Sequence, residues 1–120
     1  MGVKEQELYW IYMLRLANGS YYTGYTNDLD RRFRAHRDGR GARITRSFAP
    51  VAVAACWQVH CQKGMAMRIE AWIKSCTRQV KQGLIDHPES LGEILRRRGW
   101  NEPIEAVRPL PIIPPPAASY

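Results

Sequence analysis

Apolar and polar positions follow a strand-like period near the start of the chain and a helical period further on. Tyr9–Leu16 (YWIYMLRL) is rich in aromatic and branched side chains, which suit the pleated surface of a strand. Asn18-Gly19 follows, a strong short-range turn signal, and Tyr21–Tyr25 (YYTGY) reads as the returning strand. Asn27 or Asp28 can cap a helix over about Leu29–Asp38, with Gly39 ending it. The Gly- and Arg-rich stretch Gly39–Pro50 reads as a loop, and Val51–Val59 (VAVAACWQV) as a central strand. A second helix opens at Lys63-Gly64 and gathers Met65, Ile69, Trp72, Ile73 and Cys76 on one face, a core stripe. A third covers about Thr77–Ile85, and a fourth, about Glu89–Arg98, brings Leu91, Ile94 and Leu95 together before Gly99. The pattern predicts a single α+β domain over residues 8–86, a small three-stranded antiparallel sheet flanked by helices. A C-terminal helical extension (87–100) and a Pro-rich tail (101–120) follow.

The turn between the first two strands decides which side chains can meet. A two-residue Asn-Gly turn pairs Tyr12 with Tyr25 and sends Tyr12 and Tyr22 to opposite faces. A three-residue loop, Ala17-Asn18-Gly19 with Gly19 left-handed, pairs Tyr12 with Gly24 and Leu14 with Tyr22. The two tyrosines then share a face as diagonal neighbours. A shared tyrosine site therefore requires the three-residue loop.

Composition adds a direction. The 120 residues carry a formal charge of +7 and a pI near 9.7, which suits a polyanionic partner such as nucleic acid. Arginines recur at 31, 34, 37, 40, 43 and 46, across the first helix and the loop after it, with few acids between them. They read as a basic flap that contacts phosphates, fixing position rather than sequence. No apolar run approaches the ~20 residues of a membrane span, and Met1–Glu7 lacks the apolar centre of a signal peptide. Gln6 breaks the myristoylation pattern that Gly2 would begin. Three cysteines, Cys56, Cys61 and Cys76, suit free thiols in a reducing compartment, so the cytoplasm is the expected location. Cys56, His60 and Cys61 lack a second ligand pair at zinc spacing and read as packed residues. The prolines from Pro103 onward favour an extended, loosely attached tail, whose Pro111–Pro114 spacing could also serve a protein-binding adaptor.

On the first helix Leu29, Arg32, Phe33 and His36 follow i, i+3, i+4, i+7 and share one face. Leu29 and Phe33 must pack on the sheet, so Arg32 is carried toward the interior, where a guanidinium without a partner is costly. It either points into a cleft that binds an anion or stacks on a tyrosine and reaches water. Glu70 borders the apolar stripe of the second helix and, taken alone, reads as a solvated carboxylate.

Trp10-Ile11-Tyr12 and Tyr22-Thr23-Gly24 resemble the paired tripeptides of the GIY-YIG nuclease superfamily. The resemblance continues through Asn27–Arg32, His36, Gly41-Ala42-Arg43, Thr45-Arg46, Arg68–Ala71 and Lys74, and is nearest to small stand-alone bacterial members of the UPF0213 type. Trp10 stands in place of the first Gly and Thr23 in place of the central Ile, while both tyrosines and Gly24 are kept. Ile44 stands where many relatives carry tyrosine. The resemblance implies an endonuclease with catalytic Tyr12, Tyr22, Arg32, His36 and Glu70. It further implies that Glu70 holds one Mg²⁺ (or Mn²⁺), a hard cation that needs few protein carboxylates. Arg31, Arg34, Arg40, Arg43, Thr45, Arg46 and Lys74 are the expected contacts to DNA, with RNA also open, and no small-molecule cofactor or membrane is expected. The implied reaction is phosphodiester hydrolysis in single-stranded or structured DNA, in repair or related processing, with a tyrosine activating water. Tyr12 and Tyr22 are equal candidates for that role, with His36 as proton acceptor for the tyrosine or as a base itself. A non-catalytic nucleic-acid-binding module of the same fold is the alternative. Oligomeric state and pathway stay open.

Overall fold

The computed structural model describes residues 6–115. Met1–Glu5, most of the polar start, and the end of the Pro-rich tail from Pro116 lie outside the described residues. The chain runs β1 (Glu7–Leu16), β2 (Tyr21–Thr26), α1 (Leu29–Arg37), α2 (Arg43–Ser47), β3 (Pro50–Cys61), α3 (Lys63–Ser75), α4 (Arg78–Asp86), α5 (Ser90–Arg97) and β4 (Ile104–Ala106). All strand pairs are antiparallel, in the order β2-β1-β3-β4. The α+β class holds, but the sheet has four strands rather than three.

The fourth strand comes from the segment read as tail. Ile104, Glu105 and Ala106 lie between Pro103 and Pro109, so their N–H groups are free to pair with Val59, Gln58 and Trp57. Hydrogen bonds from His60 N to Pro103 O (3.1 Å) and from Val107 N to Cys56 O (2.9 Å) continue the contact. The strand covers what would otherwise be an open edge of β3. Three residues between prolines carry no legible alternation, which is why the sequence pattern does not reveal them. The expected loop Gly39–Pro50 likewise contains the short helix α2.

The hairpin closes through the three-residue loop. Leu16 N bonds Ser20 O at 2.9 Å, Gly19 N bonds Leu16 O at 2.9 Å, and Gly19 adopts a φ of 83°. Tyr12 therefore faces Gly24, and Leu14 faces Tyr22. On the other side of β1 a register shift between Met13 and Leu14 moves the partner on β3 from Ala55 to Val53. Leu14 thereby meets Val53 instead of Ala54 across the ladder.

Two cores result. One side of the sheet packs Tyr9, Ile11, Met13, Trp57 and Val59 against α3, α4 and α5 through Ile69, Ile73, Leu84, Leu91 and Leu95. The buried Trp57 indole donates to Pro88 O at 2.7 Å, which ties the α4–α5 turn to β3. The other side packs Tyr12, Leu14, Leu16, Val53 and Cys56 against Phe33 of α1, with Leu29, Val107 and Ile113 partly buried beside them. Cys56 and Cys61 belong to opposite cores, so they cannot share a metal ion. Among the described residues no helix is long and apolar enough to cross a membrane.

Candidate active site

Helix α1 starts where Asp28 accepts a hydrogen bond from Arg31 N (3.1 Å) and stops at Gly39, which takes a φ of 72°. Its inner face seats Phe33 edge-on to Tyr12, with ring centroids 5.2 Å apart. One turn later His36, 1 % exposed, meets the Tyr12 hydroxyl: Oη and Nε2 are 2.7 Å apart. Tyr22 lies 6.3 Å from Tyr12 and 5.2 Å from His36, centroid to centroid. Gly24 has a steric role here, since a Cβ at that position would collide with the Tyr12 hydroxyl. The Tyr12 ring thus crosses β2 only because its neighbour on the ladder has no side chain.

Arg32, half-buried, stands next to the phenols of Tyr12 and Tyr22 and lines an open cleft. That cleft, about 470 Å³, is bordered by Tyr22, Arg32 and Glu70, together with Glu7, Tyr25 and Lys63. Glu70 reaches it from α3, its side chain 18 % exposed and its Oε1 3.4 Å from Lys74 Nζ. The same ammonium lies 5.4 Å from the Tyr22 ring centroid. The site therefore spans the outer edge of β2, with α1 on one side and α3 on the other.

Tyr12 and His36 stand behind this cleft rather than in it. Tyr12 is fully buried, and desolvation, reinforced by the neighbouring Tyr22, raises its pKa above the ordinary tyrosine value despite Arg32. Burial, with the Arg32 cation second, lowers the His36 pKa to about 4. His36 is therefore a neutral hydrogen-bond partner at neutral pH. Its other nitrogen, Nδ1, lies 3.0 Å from Thr45 Oγ1, and Thr45 Oγ1 donates to Ala42 O at 2.8 Å. Thr45, expected to contact nucleic acid, is 2 % exposed and cannot do so. The short helix α2 turns its hydroxyl inward, where it satisfies His36. Gly41 allows this approach, because a Cβ there would collide with His36 Nδ1 and crowd Thr45 Oγ1.

The expected basic residues divide into groups. Arg31, Arg34 and Arg40 line a second cleft of about 570 Å³ that shares Thr26, Asn27 and Arg32 with the first. Arg34 pairs with Asp30 (2.8 Å) and Arg40 with Asp38 (3.2 Å), both at the surface, where such pairs are weak and exchangeable. Arg43 and Arg46 sit exposed on α2, outside the lining of both clefts. Lys74 is exposed and pairs with Glu70 at 3.4 Å. Glu7, Tyr25 and Lys63 were not foreseen. The β1–β3 register, which sets Glu7 opposite Cys61, brings Glu7 near the start of α3, and local sequence holds no sign of that pairing.

The cleft also limits which metal could bind. Glu70 and Glu7 border it, and among the described residues no group of three or more His, Cys, Asp or Glu side chains is placed to hold an ion. A zinc or calcium cage does not fit that donor set, whereas a cation that keeps most of its water does.

The GIY-YIG catalytic domain family matches residues 8–83. UPF0213 protein BH0048 of Halalkalibacterium halodurans is 40 % identical over 77 residues, 64 % of this chain and 81 % of that protein. UPF0213 protein YhbQ of Salmonella arizonae is 34 % identical over 87 residues, 72 % of this chain and 86 % of its own length. The solution NMR structure of UPF0213 protein BH0048 from Bacillus halodurans is 39 % identical, with 66 % of this chain and 83 % of that one covered and a TM-score of 0.43. The ordered motif, the hairpin that brings its tyrosines together and the match across most of the chain agree: this protein belongs to the GIY-YIG family, with UPF0213 proteins among its relatives.

Proposed function

We propose that this protein is a metal-dependent nuclease that hydrolyses phosphodiester bonds in DNA. The observation that carries the reading is the convergence of Tyr22, Arg32 and Glu70 on one cleft, continuous through Arg32 with an arginine-lined groove. In this reading the groove receives backbone phosphates and delivers one of them to Arg32. The guanidinium stabilises the charge that gathers on the phosphoryl oxygens. Tyr22 takes the proton of the attacking water. The water oxygen bonds to phosphorus, the bond to the 3′ oxygen breaks and that oxygen takes a proton from solvent, so a 5′-phosphate and a 3′-hydroxyl result. An ordinary tyrosine is ionised to only about one part in a thousand at pH 7, a cost of roughly 4 kcal/mol. Arg32, beside Tyr22 in the cleft, and Lys74, near its ring, are the cations within reach of the attacking water. Tyr12 is the poorer base: it is sealed from solvent, its pKa is raised, and it partners His36. Glu70, with Glu7 beside it, would hold one Mg²⁺ or Mn²⁺ ion. When bound, that ion supplies Lewis acidity to the phosphate and to the leaving oxygen.

The test is incubation of the protein with end-labelled single-stranded, duplex and branched DNA, and with RNA, each with and without Mg²⁺ or Mn²⁺. Metal-dependent cleavage is expected. Glu70→Ala should reduce it by about a hundred- to a thousandfold, the order of one lost transition-state contact in such sites, while leaving DNA affinity within a few-fold. Full activity in Glu70→Ala rejects the metal-ligand role. Binding without cleavage under every condition makes the protein a binding module instead.

A further inference from the structure

Resting on the nuclease reading, we propose that Thr45 is a positioning residue that fixes the tautomer of His36 and thereby the donor direction of the buried chain that ends at Tyr12, behind the cleft. The direction follows from chemistry at each step. Thr45 Oγ1 gives its hydrogen to a backbone carbonyl, Ala42 O, so toward His36 it can only accept. The Tyr12 proton then needs an acceptor in a site with no exposure to water, and His36 Nε2, at 2.7 Å, is the atom in place. Nε2 must therefore be bare, and a neutral His36 carries its hydrogen on Nδ1. That N–H lies 3.0 Å from Thr45 Oγ1, whose own hydrogen is committed to Ala42 O at 2.8 Å. Donors run one way from phenol to imidazole, hydroxyl and backbone carbonyl, so each bond polarises the next.

The reverse direction fails on the same inventory. With hydrogen on Nε2, a bare Nδ1 would face the Thr45 oxygen, whose hydrogen is committed to Ala42 O, while the buried Tyr12 hydrogen would have no acceptor at hand. The Tyr12 phenol would lose its anchor, and Tyr22, packed beside it at the cleft, would lose a fixed neighbour. Thr45 touches no reacting atom. It acts through His36 and Tyr12, and Gly41 leaves it the room to do so.

The experiment reads the tautomer directly, from the imidazole nitrogen resonances of the full chain in long-range ¹H–¹⁵N correlation spectra at neutral pH without substrate. The Nδ1–H form of His36 is expected in the wild type and in Thr45→Ser. Thr45→Val should lose the preference and show the Nε2–H form or a mixture. In cleavage assays Thr45→Val should lower kcat about tenfold with KM unchanged, and Thr45→Ser should restore most of it. Tyr12→Phe removes the donor at the other end and should release the tautomer too, which supplies a second variant if Thr45→Val fails to fold. An Nε2–H tautomer in the wild type, or wild-type spectra in both Thr45→Val and Tyr12→Phe, overturns the proposal. If the wild type cuts nothing, the nuclease reading falls, while the tautomer result still stands or falls by its own spectra.

Discussion

The two faces of the sheet solve different problems. The face under α3, α4 and α5 buries thirteen contacting residues among those described, nearly all apolar, so it can be filled close to crystal-like density. The face under α1 buries six in its cluster, and the buried polar groups His36 and Thr45 stand beside them. Polar groups in that position need partners rather than volume, and each has one: Tyr12 for His36, His36 and Ala42 for Thr45. The lesson is a division of labour. One face supplies the burial that holds the domain together, and the other gives up burial to hold the Tyr12 phenol, the His36 imidazole and the Thr45 hydroxyl in fixed positions.

The largest effect that would break this comparison lies in the thick core. Ile69, 1 % exposed at the centre of α3, should cost about 2–5 kcal/mol when changed to Ala, from lost transfer energy plus the cavity left behind. Urea unfolding monitored by circular dichroism measures it. Activity per folded molecule should hold within a few-fold, since Ile69 packs away from the cleft even though Glu70 is its neighbour. A loss below about 1 kcal/mol would mean that stability does not reside mainly on that face.

The next effect belongs to the polar face and depends on pH. The folded state keeps His36 neutral down to about pH 4, whereas the unfolded chain takes up a proton near the ordinary pH of 6.5. Between those values the unfolded state binds more protons, so stability falls as pH drops from 6.5 to 4 and is unaffected by this group above 6.5. The shift is worth at most about 3 kcal/mol. Stability should be measured by urea unfolding from pH 4.5 to 8 in the wild type and in His36→Gln, whose difference isolates this residue. Parallel curves would show that burial of a neutral His36 is not what that face depends on.

Much of this was legible in the sequence, and the parts that were not have physical reasons. The condition on the hairpin, a third loop residue with Gly19 left-handed, could be stated in advance because only two registers were available and one separates the tyrosines. Arg32 and His36 could be placed together because a helix repeats its face every three and four residues. Glu7 and Tyr25 at the cleft could not, since they arrive by strand register and by the approach of α3. Thr45 was misjudged for a related reason. Its neighbours Arg43 and Arg46 are exposed, and a five-residue helix is too short to show in a periodic pattern that its third residue faces inward. The strand β4 was hidden by the prolines around it.

The smallest effect sharpens the comparison most, because it concerns what completes the thin face. The family match ends at residue 83, yet the segment after β4 packs Val107 and Ile113 against the α1 side of the sheet, and Arg37 Nη1 donates to Pro115 O at 2.8 Å. Pro111, Ile112 and Pro114 border an apolar groove with Trp10, Leu29 and Phe33. A nine-residue helix held mainly by Leu29, Phe33 and His36 gains a second wall from this segment. Ile113 is only half-buried, so Ile113→Ala should cost about 1 kcal/mol, roughly half the value of a fully buried isoleucine. The more telling measurement is amide hydrogen exchange. If the C-terminal segment braces α1, exchange in Ile113→Ala should quicken by a few-fold in Leu29–Arg37 and stay unchanged in Lys63–Ser75. Equal acceleration in both helices would make the loss a global one. No acceleration in α1 would mean that the segment lies on the thin face without supporting it, and that the polar chain from Tyr12 to Ala42 holds the helix by itself.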